Sequence, residues 1–367
     1  MGVTKVSYGN EIFNITSVTV TPESLLEGYT AHDANGNFIY GDYTGDSTIT
    51  NDDITNSYCV IVNNEYRMPT SLAYALANNS TFNSDVIIGN NVIDCSYMFQ
   101  NCKNFNSNVT IPGSVESCIG IFNNCLIFNQ PVTIPNNVVS CGYMFNNCPN
   151  FNQPITIPNN VRNCYGMFRT CYNFNQPITI PDNVISCTSM FEYCYKFNQP
   201  VIIPNNAAFC SFMFSSCRNF NQPVTIPNNV TTCYGVFEHC YNLNRPITIS
   251  ENAIQCSSMF YICYNFNQPV TIPNSITNCD SMFYYCNNFS SNIYFNGNIY
   301  RNINIKSMLG RTNNDLQKNV YFNSILNNVF NKTDVNSIIG TSITWSTMTN
   351  GFYNLTYNIY CYNNYLG

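Results

Sequence analysis

The sequence predicts a β-rich solenoid in which each 23-residue rung contains one short parallel strand and one short helix. A first cysteine recurs every 23 residues from Cys95 to Cys279, and a second cysteine follows seven residues after each of them. A fixed period in this range is the sequence signature of stacked repeats. The apolar share of 45% is enough for a continuous core, and the charged share of only 9% leaves a surface dominated by uncharged polar side chains.

One copy of the repeat, residues 141–163, shows why each rung is expected to contain two elements. The helix prediction comes from four apolar residues at i, i+3, i+4 and i+7, which would share one helical face: Cys141, Met144, Phe145 and Cys148. The run Ile155–Ile157 alternates apolar and polar residues, as a strand does. Pro158 then ends the strand because it has no N–H for the ladder.

Eighteen of the 20 cysteines belong to the repeat. Seven residues of helix would separate the two cysteines of a rung by about 10 Å, which is beyond disulfide reach. The repeat also lacks the closely spaced pairs that zinc sites favour. We therefore expect buried free thiols acting as small hydrophobic side chains, and we predict neither a metal site nor a cofactor.

The segments that flank the full rungs differ from them in pattern. Residues 1–48 read as a small β module, with alternation at Val18 and Val20 and a hairpin signal at Asn35-Gly36. Residues 49–71 are assigned to a linker in which Tyr58–Val62 has strand character. The acidic run 46–53 lacks the spacing of a calcium loop and is expected to be a solvated turn.

Degraded repeats are expected to close both ends of the solenoid, which itself covers residues 95–288. In residues 72–94, Leu72, Leu76 and Phe82 occupy the places of a cysteine and two phenylalanines, so this segment is predicted to be the N-terminal cap. Residues 289–367 are predicted to form a C-terminal cap and a β-rich tail. Ile305 and Met308 echo the repeat there at altered spacing.

Several function classes find no support in the sequence. Neither His32 nor His239 has a recurring acid or nucleophile as a partner, so no catalytic residue is predicted and the chain is not expected to be an enzyme. His32 and Asp33 read as a turn-stabilising pair, and His239 reads as a surface variant. A net charge of −6 without a Lys or Arg cluster argues against nucleic-acid binding.

Membrane insertion and a secretion signal are not expected either. No stretch approaches the roughly 18 consecutive apolar residues of a spanning helix. Residues 1–20 lack the basic start and the apolar run of a signal peptide.

Two polar rows accompany the repeat. An Asn recurs at the bend before the strand, and we interpret this row as structural, with rung-to-rung hydrogen bonds: Asn129, Asn152, Asn175, Asn198, Asn221, Asn244 and Asn267. A Thr recurs at the centre of the strand and is interrupted at Ile202. Favourable outward stacking of β-branched side chains explains the Thr row, and an ice-binding row is the less well supported alternative.

Aromatic residues beside the predicted helix are the candidate ligand contacts. Exposed tyrosine combines a large contact area with a polar tip, which suits protein or glycan partners. Half-buried packing between neighbouring rungs remains an equal alternative. The candidates are Tyr97, Tyr143, Tyr165, Phe212 and Tyr234 near the start of the helix, and Tyr172, Tyr195, Tyr241 and Tyr264 just past its end.

The pattern I-x-I-P-x-x-V followed by a short segment ending F-x-x-C resembles the BspA-type leucine-rich repeat, which has the same period. The resemblance covers residues 72–288. Cys replaces the aliphatic residue that is usual before the helix, and Met is common where Ala is usual, but both exchanges keep the position apolar. The resemblance implies a surface protein that adheres to host cells, matrix or other bacteria, and it carries no catalytic residue.

The N-terminal module resembles a short segment near the N-termini of tailed-phage structural proteins. The matching residues are Thr21, Pro22, Leu25, Leu26, Gly28, Thr30, Ala31, His32, Asp33, Ala34, Asn35, Gly36 and Gly41. This resemblance implies a non-enzymatic virion structural protein, a tail fibre or a capsid decoration. Such a protein would be assembled in the host bacterial cytoplasm and would contact other virion proteins through this module.

The two resemblances together predict that a phage displays the solenoid to a host-surface protein or glycan. The oligomeric state, including a homo-oligomer, stays open. The alternatives are a bacterial cell-surface adhesin of the BspA type and a purely structural spacer in an assembly.

Overall fold

The computed structural model describes residues 71–295 and 308–309, together with the backbone of the strands named below that lie outside them. The chain divides into two compact units, Met1–Val161 and Arg162–Gly367. Each unit contains its own stack of repeat rungs. Positions within a rung are counted from its first cysteine, so that Cys95, Cys118 and Cys141 are all position 1.

Six strands near the N-terminus form one antiparallel sheet in the order β4-β3-β1-β2-β5-β6. They are β1 (Lys5–Tyr8), β2 (Glu11–Asn14), β3 (Thr30–His32), β4 (Phe38–Tyr40), β5 (Cys59–Val62) and β6 (Glu65–Arg67). The pairing of β3 with β4 confirms the hairpin predicted around Asn35-Gly36. Val18, Val20, Asp33 and the acidic run 46–53 lie outside the described residues.

The strand predicted within Tyr58–Val62 is confirmed as β5, which pairs with β2 and with β6. Part of the segment assigned to a linker therefore belongs to the sheet. The continuous apolar run Cys59–Val62 forms the first strand of the hairpin β5–β6, and the ladder gives its backbone groups partners that a linker would have lacked.

The predicted helix is wrong, and positions 1–8 of each rung form consecutive turns instead. No helix occurs in the described residues. Within one rung, Met98 N donates to Cys95 O at 3.2 Å and Cys102 N donates to Phe99 O at 3.0 Å. Phe99 N donates across to Ile121 O of the following rung at 2.9 Å. Backbone donors therefore alternate between a partner in the same rung and a partner in the next one.

The turns require a left-handed backbone at positions 3 and 7. Tyr97 has a φ of 56° and Asn101 a φ of 62°, each at the third residue of a turn, where a type II turn needs a positive φ. Two such turns return positions 1, 4, 5 and 8 to the core, as one helical face would. The sequence signal that distinguishes these turns from a helix is glycine at position 3, as in Gly120 and Gly235, and asparagine at position 7.

The core of each unit is built from stacked phenylalanines. Positions 5 and 11 carry Phe in most rungs, and these side chains are completely buried. In the first unit, Phe99 stacks on Phe105 of its own rung at 4.4 Å and on Phe122 of the next rung at 5.6 Å between ring centroids. In the second unit, Phe191 and Phe197 stack at 4.3 Å. Each offset-stacked pair contributes about 0.5–1.5 kcal/mol beyond its area burial.

The burial predicted for the repeat cysteines is confirmed, since all eighteen are buried. The thiol at position 8 donates to the carbonyl of position 5 in the preceding rung, for example from Cys125 Sγ to Phe99 O and from Cys217 Sγ to Phe191 O, both at 3.0 Å. That carbonyl also accepts the N–H of position 8 of its own rung. A cysteine fits here because it is small and can satisfy the second lone pair, which an aliphatic side chain cannot.

A parallel strand in every rung is only partly confirmed. In the first unit, β7 (Val86–Ile87) pairs with β8 (Val109–Thr110). In the second unit, β9 (Val224–Thr225) pairs with β10 (Ile247–Thr248), and β11 (Val270–Ile272) pairs with β12 (Ile293–Phe295). Residues 111–223, all of them described, contain no strand. The triplet Ile155–Ile157 nevertheless keeps the predicted alternation of buried, exposed and buried side chains.

The structural interpretation of the Asn row is confirmed. The Oδ1 atom of one Asn accepts the backbone N–H of the corresponding Asn in the next rung, at 2.7 Å from Asn106 N to Asn83 and at 2.8 Å from Asn221 N to Asn198. These bonds satisfy donors at a bend where no ladder or turn reaches them, so the amides hold successive rungs in register.

After the last full rung, three more strands extend the sheet of the second unit. The strand β13 (Lys318–Phe322) pairs parallel with β12, and β14 (Ile343–Thr347) and β15 (Tyr353–Tyr357) add an antiparallel pair in the order β12-β13-β15-β14. Met308 is buried, and its carbonyl accepts Phe283 N at 2.8 Å, as Met282 O accepts Phe260 N. The predicted repeat echo is thus confirmed at Met308, whereas Ile305 lies outside the described residues.

Replacing Ile262 by Asn is expected to stabilise the fold. Ile262 is a β-branched residue with a φ of 60°, a conformation that costs an ordinary L-residue about 1–2 kcal/mol and that Asn adopts more readily. Urea unfolding should show a gain of about 1 kcal/mol. The control Ile254→Asn changes an exposed Ile whose φ is not positive, and it should give no gain. A loss of stability in Ile262→Asn would contradict the turn assignment.

The buried thiols predict alkaline sensitivity. Burial raises the pKa of Cys141 and of Cys187 to about 12, whereas a thiol in the unfolded chain titrates near pH 9. Because the folded state keeps its proton, stability is fully present below about pH 9 and is lost as the pH rises towards 12, by about 1.4 kcal/mol per pH unit for each thiol. Urea unfolding from pH 7 to 11 under reducing conditions should show constant stability up to about pH 9 and this slope above it. The double variant Cys141→Ala/Cys187→Ala should show a shallower slope, and an equal slope would refute the explanation.

Candidate ligand-contact surface

Five residues at position 9 of successive rungs in the second unit form a continuous column: Tyr172, Tyr195, Arg218, Tyr241 and Tyr264. We call this column the Tyr–Arg ladder. The rings of Tyr172 and Tyr195 stack at 4.7 Å with an interplanar angle of 1°. Arg218 Cζ lies 4.1 Å from the ring centroid of Tyr195 and 5.5 Å from that of Tyr241. The Tyr241 and Tyr264 rings stack at 5.0 Å.

The backbone fixes the register of the Tyr–Arg ladder. The N–H of position 10 donates to the carbonyl of position 9 in the preceding rung, from Asn219 to Tyr195 at 3.1 Å and from Asn242 to Arg218 at 3.2 Å. A strict 23-residue repeat therefore places each position-9 side chain directly against the next. The guanidinium lies between two π-faces, where a cation is attracted by the ring quadrupole.

The rungs that carry the Tyr–Arg ladder also have charged groups at positions 6 and 7. Arg169 Nε and Glu192 Oε2 form an ion pair at 2.7 Å. Burial, and then the charge of Glu192, raises the pKa of Glu238. Burial, and then the charge of Arg218, lowers the pKa of His239, so its imidazole is neutral at pH 7. The ladder therefore carries a single cation, Arg218, beside a neutral imidazole.

The prediction that His239 is a surface variant is only partly right. Its side chain is 30% exposed, its φ is 58°, and its ring contacts Tyr261 edge-on at 5.7 Å between centroids. His239 occupies position 7, where the turn requires the left-handed conformation.

The candidates at position 3 pack against the neighbouring rung. Tyr97 is half-buried and stacks on Tyr74 at 5.0 Å, and a Cβ atom on Gly120 would come within 2.3 Å of the Tyr97 ring. Burial, followed by the charge of Tyr74, raises the pKa of Tyr97. Phe212 covers Gly235 in the same way, at 2.7 Å from an added Cβ. For these two residues the structure favours packing over ligand contact.

The remaining three candidates, at positions 2 and 3, are half-buried or only partly exposed. Tyr143, at position 3, is half-buried with a φ of 55°, and Tyr165, at position 2, is half-buried while its N–H donates to Asn163 Oδ1 at 2.9 Å. Tyr234, also at position 2, is 40% exposed and meets Phe212 edge-on at 4.9 Å.

The structure brings together the four position-9 tyrosines, and the sequence reasoning missed Arg218 between them. The sequence contains a signal for Arg218, because Arg218 lies 23 residues after Tyr195 and 23 residues before Tyr241. Residue type alone indicates the rings, whereas the 23-residue register indicates the cation as well.

No group of three or more His, Cys, Asp or Glu side chains within the described residues has the arrangement of a metal site. No described residue belongs to a helix that could cross a membrane.

Comparison with known proteins identifies the repeat. The family model described as "Mycoplasma protein of unknown function, DUF285" matches four overlapping segments, residues 70–180, 116–226, 158–251 and 208–322. The chain belongs to this family. The DUF285 segments include the whole Tyr–Arg ladder. No curated protein matches the chain.

Two solved structures are similar to this DUF285 chain. A leucine-rich repeat protein from Bacteroides ovatus ATCC 8483 is 17% identical, with a TM-score of 0.47, over 74% of this chain and 68% of that one. A leucine rich cell surface protein from Faecalibacterium prausnitzii A2-165 is 19% identical, with a TM-score of 0.44, over 86% of this chain and 97% of that one.

Replacing Gly235 by Ala is expected to destabilise the DUF285 rungs by about 1–3 kcal/mol. The alanine would have to keep the left-handed backbone of Gly235, and its Cβ would collide with the Phe212 ring. Thermal or urea unfolding measures the loss. Gly113→Ala is the control, since its Cβ would meet nothing within 4 Å. Adding Phe212→Ala to Gly235→Ala should recover the part of the loss that comes from the collision, and no recovery would argue against this packing.

Proposed function

We propose that this DUF285 protein is a non-enzymatic adhesion protein whose repeat rungs present the Tyr–Arg ladder as a contact surface. The observation that carries the proposal is the position of the ladder. Arg218 is exposed, and Tyr172 and Tyr264 are each 38% exposed, whereas the aromatic columns at positions 5 and 11 of the same rungs are completely buried.

Tyrosine and arginine are the residue types that contribute most at binding surfaces. Tyrosine offers a large rigid area at a low cost in side-chain entropy, and arginine offers five donors in a fixed plane. Stacking between Tyr195 and Tyr241 orders the Arg218 guanidinium before any partner arrives. Less conformational entropy is then lost on binding.

We propose that a phage virion carries this adhesion surface, as part of a tail fibre or a capsid decoration. The support is the N-terminal sequence resemblance from Thr21 to Gly41. In this proposal the N-terminal module contacts other virion proteins. A bacterial cell-surface adhesin is the second candidate, and the DUF285 description favours it because that description names a bacterial genus.

The adhesion proposal is tested with immobilised full-length protein and cells of the host community. Changing Tyr172, Tyr195, Tyr241 and Tyr264 to Ser should reduce cell retention at least about fivefold, a loss that corresponds to roughly 1 kcal/mol of binding energy. The matched control changes the exposed Tyr74 and Tyr294, which lie outside the ladder, to Ser. Retention equal to wild type in the ladder variant, with an unchanged urea midpoint, would show that the chain is a structural spacer.

The carrier is tested by immuno-electron microscopy and proteomics on density-purified particles. Labelling at a defined copy number on capsid or tail is the expected result. Labelling confined to the envelopes of uninfected cells would replace the virion proposal by the bacterial adhesin.

A further inference from the structure

The Tyr–Arg ladder exposes ring edges rather than ring faces. Tyr172 stacks on Tyr195 at 4.7 Å, Tyr241 stacks on Tyr264 at 5.0 Å, and the Arg218 guanidinium lies between Tyr195 and Tyr241. The ring faces that meet inside the column are therefore occupied, and a partner meets the ring edges and the hydroxyl groups along its side. An aromatic edge is the positive end of the ring quadrupole, so it favours an approaching anion over a cation.

The charge of Arg218 is available to a partner. The carboxylate of Glu192, in the preceding rung, is paired with Arg169 at 2.7 Å. In the next rung, Glu238 Oε1 lies 3.5 Å from His239 Nδ1. Since two rings hold the guanidinium plane from both sides, its N–H groups remain for an acceptor at the edge, and a carboxylate matches that fork of donors.

Hydrogen-bonding groups repeat alongside the column. Four of the five position-10 residues beside the ladder are exposed and carry amides or an ammonium: Lys196, Asn219, Asn242 and Asn265; the fifth, Asn173, is half-buried. With a phenol hydroxyl or the Arg218 guanidinium at position 9, they give each of these four rungs two polar groups. The exposed aliphatic and phenylalanine side chains of the second unit belong to other positions of the rung, as in Ile202 and Phe209. This surface suits a chain of hydroxyl groups better than the apolar side chains of a peptide.

We propose that the Tyr–Arg ladder binds a carboxylated glycan, with Arg218 holding a carboxylate and the ring edges, phenol hydroxyls and position-10 side chains contacting sugar hydroxyls in successive rungs. This inference rests on the proposed adhesion function and names its ligand class. The interaction involves exposed charge, so raising the ionic strength weakens it.

The test measures binding of the full-length protein to an oligogalacturonate, which has one carboxylate per sugar, by isothermal titration calorimetry. The fully methyl-esterified oligomer is the neutral control ligand, and an oligoglutamate is the acidic peptide control. We expect binding of the oligogalacturonate, weaker binding at high salt, and at least about tenfold weaker binding of either control, the scale of one charge-assisted hydrogen-bonded contact.

Two charge-removing variants separate the specific contact from general electrostatics. Arg218→Gln should weaken oligogalacturonate binding roughly tenfold, and Arg218→Lys should recover only part of that loss because a lysine cannot stack or fork. Arg245→Gln is the matched control, because Arg245 is exposed in the next rung at a position where most rungs already have Gln. It should change affinity by no more than about twofold.

Three results would overturn the inference: no binding of the oligogalacturonate by the wild-type protein, equal binding of the ester or the oligoglutamate, and an equal loss in Arg245→Gln. Unfolding in urea shows whether each variant is folded. Cell retention measured with the tyrosine variants is an independent readout. Retention that depends on the tyrosines, without oligogalacturonate binding, would leave the adhesion proposal standing and remove only the glycan.

Discussion

The alternation of backbone donors along positions 1–8 determines most of what each rung can contain. Odd positions donate to the next rung and even positions donate within their own, as Phe99 and Cys102 illustrate. This arrangement needs a left-handed residue at positions 3 and 7. The distance between successive rungs is then the length of a backbone hydrogen bond between them. Every side chain at a given position then lies directly against its counterpart in the next rung of the same unit. Column formation is therefore a consequence of the backbone, and the residue type decides only what the column does.

Buried backbone polar groups are also hydrogen-bonded between neighbouring rungs. The bend before the strand has a backbone N–H that neither turn nor ladder reaches, and Asn198 Oδ1 accepts it from Asn221. The carbonyl at position 5 has a second lone pair facing the core, and a thiol such as Cys217 Sγ reaches it. An unsatisfied buried group costs about 1–3 kcal/mol, and the cost would be repeated in every rung. Asn and Cys therefore occur at these positions because each satisfies a nearby backbone polar group, although a thiol also behaves as a small apolar side chain.

The sequence was sufficient for the period, the buried positions and the Asn row, because each depends only on which residues recur. It was not sufficient for the backbone of positions 1–8. Apolar residues at Cys141, Met144, Phe145 and Cys148 point inward both in a helix and in two consecutive type II turns, so burial periodicity alone cannot distinguish the two. Glycine and asparagine at positions 3 and 7 do distinguish them, since a helix interior disfavours both residue types. Arg218 was missed because residue type was considered before register.

The same constraints limit where a recognition surface can arise. Positions 1, 4, 5, 8 and 11 are filled by the core, and position 3 needs a left-handed backbone and carries glycine, serine or a ring, which can cover the glycine of the next rung as Phe212 covers Gly235. Position 7 must tolerate a left-handed backbone. Position 9 has none of these restrictions, since its backbone is held by the position-10 N–H and its side chain lies at the surface. A partner can therefore be recognised at position 9 without disturbing the fold. The cation Arg218 is the third of the five residues in this column, and two tyrosines precede it and two follow it.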